Sequence, residues 1–252
     1  MRTLKLKLSY DGTGYFGWQI QHNRPTIQGE LARAFAAVTG EASKPVAGGR
    51  TDAGVHALEQ VAHVHSQTRV PAPTLRRALN AHLPEQIVVR QVEDVSPTFH
   101  AIHDAISKMY RYVYHDGPTA DVFLRRYSWK VAPRLDVERM DRAAIALEGE
   151  HDFRGFETEW PNRASSRRTI QYCRVRRLGE LVYLEVQADG FLYKMVRAIA
   201  GTLYEVGRGR WPVDRVREIV DGGDRKLAGP NAPANGLFLA RINYAPSEPG
   251  DS

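Results

Sequence analysis

Cysteine is nearly missing from this sequence. Cys173 is the single one in 252 residues, so an internal disulfide and a multi-cysteine metal site are both excluded. No apolar run approaches the roughly 18 residues that a membrane-spanning helix needs. The start, MRTLKLKLSY, alternates and does not form the apolar core of a signal peptide. No lysine follows a glycine run in the manner of a phosphate-binding loop. Ser165 and Ser166 lack the glycine context of a nucleophile elbow. His63 and His65 share one face of a strand, but no third ligand follows at a diagnostic spacing, so they read as ordinary strand histidines. The expectation is a cytoplasmic protein with no metal, no membrane segment and no bound cofactor.

Gly12, Gly14 and Gly17 spell G-x-G-x-x-G directly after a strand. A dinucleotide site would need a helix opening at those glycines. Trp18 to Pro25 is polar and ends in proline, so that reading is rejected. The loop is still suited to bringing backbone close to a ligand, with Tyr15, Phe16 and Trp18 beside it. The formal net charge is +6, with basic residues dispersed along the chain. Arginine pairs with phosphate in a bidentate way, and a nucleic acid is the first polyanion to consider. Arg125 and Arg126, Arg163, Arg167 and Arg168, and Arg208 and Arg210 sit in loops where they could follow a phosphate backbone.

Hydrophobic periodicity predicts an element order that occurs twice. In the first half, a strand over Arg2 to Tyr10 precedes a helix from Thr26 to Gly40. Short strands at Pro45 to Ala47 and Gln60 to Ser66 follow, then a helix opened by Pro73 and Thr74, then a strand over Ile87 to Val92. In the second half, a strand spans Ser107 to His115, and Asp136 caps a helix that Gly149 stops. A hairpin over Thr169 to Leu178 and Leu181 to Asp189 turns at Gly179 and Glu180. A helix covers Leu192 to Val206, Pro212 starts a short helix, and Gly236 to Tyr244 is the last strand. The class is α+β, with two ferredoxin-like β-α-β-β-α-β halves. The expected domains are residues 1–103 and 104–252.

Three segments stand out as candidates. GGRTDAGVHA, Gly48 to Ala57, puts Arg50 and Asp52 two apart in a glycine-rich loop. The bland alternative is a surface turn in which Asp52 caps a backbone N–H. In SKMYRYVYH, Tyr110, Tyr112 and Tyr114 share one strand face, fitted either to stack an unstacked base or to fill a core. In FLYKMVRAIAG, Arg197 lies at the edge of an apolar helical stripe, where it snorkels to water or pairs with a carboxylate from elsewhere.

These segments, with YDGTGYFGWQIQ, TIQGEL, LNAHLP, FHAIHDAISKMYRYVY, GEHDF and LAGPNAPANGLFL in the same order, resemble the tRNA pseudouridine synthase A (TruA) family over nearly the whole chain. The resemblance implies a cofactor-free isomerase that converts uridine to pseudouridine at positions 38–40 of the tRNA anticodon arm. It implies a homodimer contacting the anticodon stem-loop, and the pseudouridine synthase fold, with antiparallel sheets flanking a central catalytic cleft. It implies that Asp52 is catalytic, that Arg50 helps displace the target nucleotide, that Tyr110 packs on the uracil, and that Arg197 pairs with Asp52. Tyr193, Lys194 and Asn231 depart from residues common in that family; they touch none of the four. The competing reading is a non-catalytic RNA-binding protein of two ferredoxin-like modules, although the aromatic motif of RNA-recognition modules is absent.

Overall fold

The computed structural model describes residues 1–158 and 165–245. Contacts divide the chain into two compact units: Met1–Lys108 together with the chain from Leu239 onward, and Met109–Phe238.

The first unit is built on strand β1 (Arg2–Tyr10). Leu4, Leu6 and Leu8 alternate inward and are fully buried, while Lys5 and Lys7 reach Glu93 and Glu59 on the other face. One face of the strand is therefore core and the other is ion-paired surface. β1 runs antiparallel to both β3 (His56–Ser66) and β4 (Ile87–Val95). A two-residue strand, β2 (Val46–Ala47), adds to β3. With the last strand, β10 (Leu237–Tyr244), the order is β4-β1-β3-β10. Two helices, α1 (Ile27–Thr39) and α2 (Ala72–His82), pack on each other. Thr26 caps α1 by accepting from the Gly29 N–H, and Gly40 ends it at φ 74°. Such a side-chain cap contributes about 1 kcal/mol.

The second unit carries β5 (Ala105–His115), which begins in the first, with β9 (Leu181–Ala188), β8 (Arg167–Leu178) and β7 (Gly149–Asp152) in the order β5-β9-β8-β7. Strand β6 (Trp129–Lys130) runs parallel to β5. Helix α3 (Val137–Ile145) packs on β8 and on α4 (Met195–Gly207), and α5 (Arg215–Gly222) follows.

The α+β class and the repeated order of elements stand. Several bounds move for local reasons. Gly149, expected to stop α3, instead opens β7 at φ 103°, and the helix ends at Ile145. Helix α4 begins at Met195 and not at Leu192, because Lys194 takes a left-handed φ of 58°. Glu185, buried on β9, is neutralised by Arg111 and Arg176, which hold its carboxyl below the usual range despite burial. Among the described residues no helix is long and apolar enough to cross a membrane.

Candidate functional site

Arg50 and Asp52 lie on the loop between β2 and β3, in the first unit. The loop leaves β2 at Gly48, whose N–H donates to the Val61 carbonyl at 2.7 Å. It closes in a tight turn, with the Val55 N–H donating to the Asp52 carbonyl at 3.1 Å and Gly54 at φ 77°. Arg50 is exposed, Thr51 buried and Asp52 half-buried. The cation and the carboxylate therefore reach solvent from either side of an anchored residue.

What anchors this loop is the stretch that spells G-x-G-x-x-G. The Trp18 N–H donates to the Thr51 carbonyl at 3.0 Å, the Gly54 N–H donates to the Tyr15 carbonyl at 3.2 Å, and the Gly12 N–H donates to His56 Nδ1 at 3.0 Å. Gly17 has φ +83°, and a Cβ there would lie 2.4 Å from the Thr51 oxygen and 2.9 Å from the Asp52 carbonyl carbon. A Cβ on Gly12 would meet the Val55 oxygen at 2.1 Å. The glycines bring one backbone against another: the close approach, expected toward a ligand, is made instead to the loop carrying Asp52.

Tyr110 and Arg197 lie in the second unit. The three tyrosines of β5 divide. Tyr112 donates its phenol to the Pro233 carbonyl at 2.8 Å, and Tyr114 donates to the Ala200 carbonyl at 2.8 Å. Both are core residues, and burial pushes both phenols well above their usual range. Tyr110 is buried too, at 8% exposure, with its ring edge-to-face on Phe191 at 5.0 Å. Edge-to-face contact sets the ring's orientation.

Arg197 occupies the first turn of α4. Its Nε donates to the Ala232 carbonyl at 2.7 Å, and the Ala232 N–H donates back to the Arg197 carbonyl at 2.9 Å. The LAGPNAPANG segment thus lies directly on α4. The Gly229 N–H donates to the Thr202 hydroxyl at 2.9 Å, and Arg225 holds the Gly229 carbonyl at 2.9 Å. The Nε bond thus ties the Arg197 side chain to a segment that is itself held on α4. Asn231, one of the departures from the family pattern, joins Arg225 to Thr158 and so belongs to the same scaffold.

The arginines of the loops have different environments. Arg125 and Arg126 are exposed. Arg167 pairs with Glu150 at 2.8 Å, while Arg208 and Arg210 both approach Glu205. Arg163 lies outside the described residues. His63 is buried and accepts from the Ala101 N–H at 3.1 Å; burial first, then His100 and His65 nearby, lower its pKa to about 4. It is therefore a neutral acceptor at neutral pH. No group of three or more His, Cys, Asp or Glu among the described residues is arranged to hold a metal ion.

Sequence reasoning passed over three residues beneath the loop. Tyr10, Gln60 and Thr51 are almost wholly buried and joined by hydrogen bonds. The available signal was a glutamine on a strand face otherwise filled by Ala62 and Val64; a buried amide needs partners.

A family model described as tRNA pseudouridine synthase matches residues 8–104 and 143–245. The tRNA pseudouridine synthase A of Moorella thermoacetica is 45% identical over 246 residues, which cover 97% of this chain and 100% of that protein. The one of Chloroflexus aurantiacus is 45% identical over 98% of this chain and 90% of its own length. The one of Brevibacillus brevis is 43% identical over 97% of this chain and 100% of its own.

Proposed function

The chain belongs to the tRNA pseudouridine synthase family, and from that premise we propose that it isomerises uridine to pseudouridine at positions 38–40 of the tRNA anticodon arm, with Asp52 as the catalytic carboxylate. The observation that carries this reading is the near-complete match to relatives of that name, 45% identical over 97% of the chain. A loop that presents Arg50 and Asp52 on either side of an anchored Thr51 agrees with it.

The chemistry asks little of the protein beyond aim and charge. The bond between N1 and the sugar carbon breaks, the ring turns, and C5 takes the place of N1. The C5 proton leaves and N1 gains one, so the product has the composition of the substrate and nothing is oxidised. One ionised and oriented carboxylate can start this, whether as nucleophile or as base. In this reading Arg197 is the cation that pairs with Asp52 and orients it. A base in a stem is out of reach until its nucleotide is flipped, at a cost of a few kcal/mol. Arg50, exposed two residues from Asp52, takes the displaced nucleotide's place or its phosphate. Tyr110, its ring set by Phe191, packs on the uracil. The protein works as a homodimer in the cytoplasm on the anticodon stem-loop; these three points follow the family resemblance.

The test is incubation of the purified protein with unmodified tRNA and no added cofactor. Pseudouridine at positions 38–40 is the expected result. Tight binding without product would turn the assignment into the non-catalytic RNA-binding reading. A second expectation concerns the net charge of +6. The affinity for tRNA should fall steeply with salt, with log K losing about 0.7 to 0.9 per tenfold salt for each phosphate neutralised. An affinity independent of salt would remove phosphate contacts from the account.

A further inference from the structure

Beneath the loop that carries Arg50 and Asp52 lies a closed chain of polar side chains. Gln60, on β3, is fully buried and reads both sides of the Gly49 backbone. Its Nε2 donates to the Gly49 carbonyl at 2.7 Å, and its Oε1 accepts from the Gly49 N–H at 3.4 Å and the Val61 N–H at 3.2 Å. The same Nε2 also donates to the Tyr10 phenol oxygen at 3.2 Å. Tyr10 Oη lies 2.8 Å from Thr51 Oγ1. Either hydroxyl can donate this bond; the phenol oxygen accepts from Gln60, and its own hydrogen is available to Thr51. Burial pushes the Tyr10 phenol up to about 12, so it keeps that hydrogen at any pH the enzyme meets. The Thr51 carbonyl is held separately by the Trp18 N–H.

The residues on either side of Arg50 are thus tied down by side chains from two strands, β1 and β3. Asp52 follows immediately, and the Asp52 carbonyl is fixed by the Val55 N–H. We propose that Tyr10, Gln60 and Thr51 are positioning residues that aim Asp52 through the Gly49–Thr51 backbone, with the Tyr10–Thr51 hydrogen bond as the link closest to the carboxylate. This rests on Asp52 being the catalyst. A loop free to shift would keep its carboxylate and its charge but lose register with the sugar. A misplacement of about 1 Å can cost roughly a hundredfold in rate. Binding of tRNA is spread over a far larger surface and should change little.

The experiment compares wild type, Tyr10→Phe, Thr51→Val, Thr51→Ser and the double variant Tyr10→Phe/Thr51→Val. Each is checked for folding by near-ultraviolet circular dichroism, then assayed for kcat and KM on unmodified tRNA. Tyr10→Phe keeps the ring and its contact with Trp18; Thr51→Val keeps the branched shape. Both should lower kcat by roughly ten- to a hundredfold with KM within about twofold. Thr51→Ser restores the hydroxyl and should recover most of kcat. The double variant should be no slower than either single, since both remove one link.

A merely structural role would lower the melting temperature and leave kcat intact below it. Folded Tyr10→Phe or Thr51→Val with kcat within twofold of wild type would overturn the proposal, as would losses that multiply in the double variant. If Thr51→Val does not fold, Tyr10→Phe decides alone. Wild-type protein that makes no pseudouridine would end the proposed function and this inference with it; active wild type with unchanged variants would end this inference only.

Discussion

Asp52→Asn should fold as the wild type does, bind tRNA, and form no pseudouridine. The substitution changes one oxygen to an NH₂ group and leaves the side chain's size unchanged. The loop's shape is set by other atoms: the main-chain bonds from Trp18, Val55 and Gly54, and the Gln60 clamp on Gly49. Arg50 and the loop arginines keep their charge, so the affinity for tRNA should stay within a few-fold. The chemistry has no such reserve. An amide is neither a nucleophile toward the sugar nor a base for its protons at neutral pH. Loss of a positioned acid–base group costs about 10²–10⁴-fold, and loss of a covalent nucleophile commonly costs more. The measurement is release of label from tRNA carrying tritium at uracil C5, because that hydrogen leaves once per turnover. Release within tenfold of the wild-type rate would overturn the assignment of Asp52.

Gly201→Ala should be the most disruptive single methyl group in the second unit. By helix propensity the change should help, since alanine is favoured over glycine by about 1 kcal/mol in a helix interior. The position decides otherwise. A Cβ at Gly201 would lie 1.8 Å from the Pro230 oxygen and 2.9 Å from its carbonyl carbon. Both are backbone atoms, so no rotamer can relieve the overlap. The segment would have to lift from α4, stretching the bonds of Gly229 to Thr202 and of Ala232 to Arg197. Overpacking of this kind costs about 3 kcal/mol or more. For a chain of this size that is a fall of roughly 6–12 °C in melting temperature. Activity should fall further than stability explains, because Arg197 takes its orientation from the Ala232 carbonyl. Gly222→Ala is the control. It also sits in a helix, with only a Leu227 methyl at 3.8 Å, and should be neutral or slightly stabilising. Equal melting temperatures for the two variants would sink the argument.

Where the determinants are local, the chain could be read. Alternating leucines and lysines define β1; Thr26 and Gly40 bound α1, and Asp136 caps α3. Arg50 and Asp52 could be singled out because a loop with three glycines around a cation and a carboxylate is itself a local pattern. Tyr112 and Tyr114 could not be told from Tyr110 by their spacing. What separates them is the Pro233 and Ala200 carbonyls, which come from segments about 90 to 120 residues away in the chain. Chain order places β10 at the end of the second half, whereas its neighbour β3 comes from the first. Strands β6 and β7, of two and four residues, are too short to show a period. Gly12 and Gly17 suggest a close approach to a ligand by their pattern, but what they approach is the backbone of Val55 and Thr51, 43 and 34 positions away. No window of sequence contains such a contact. The roles proposed for Arg50, Tyr110 and Arg197 rest on the family resemblance, and kinetics on their variants test them.

The lock between the Gly12–Trp18 stretch and the loop of Asp52 is made almost wholly of main-chain atoms. Peptide groups are the same whatever side chain they carry. Thr13, Tyr15 and Phe16 can therefore be exchanged without altering a single bond that aims the carboxylate: Tyr15 contributes only its carbonyl, and Gly12, Gly17 and Trp18 hold the rest. The side chains this stretch offers to solvent and the geometry of the Asp52 loop are separate inheritances here. A designer could rewrite the first by randomising those three positions. Transplanting the Asp52 loop into another scaffold would require its glycine companion to travel with it.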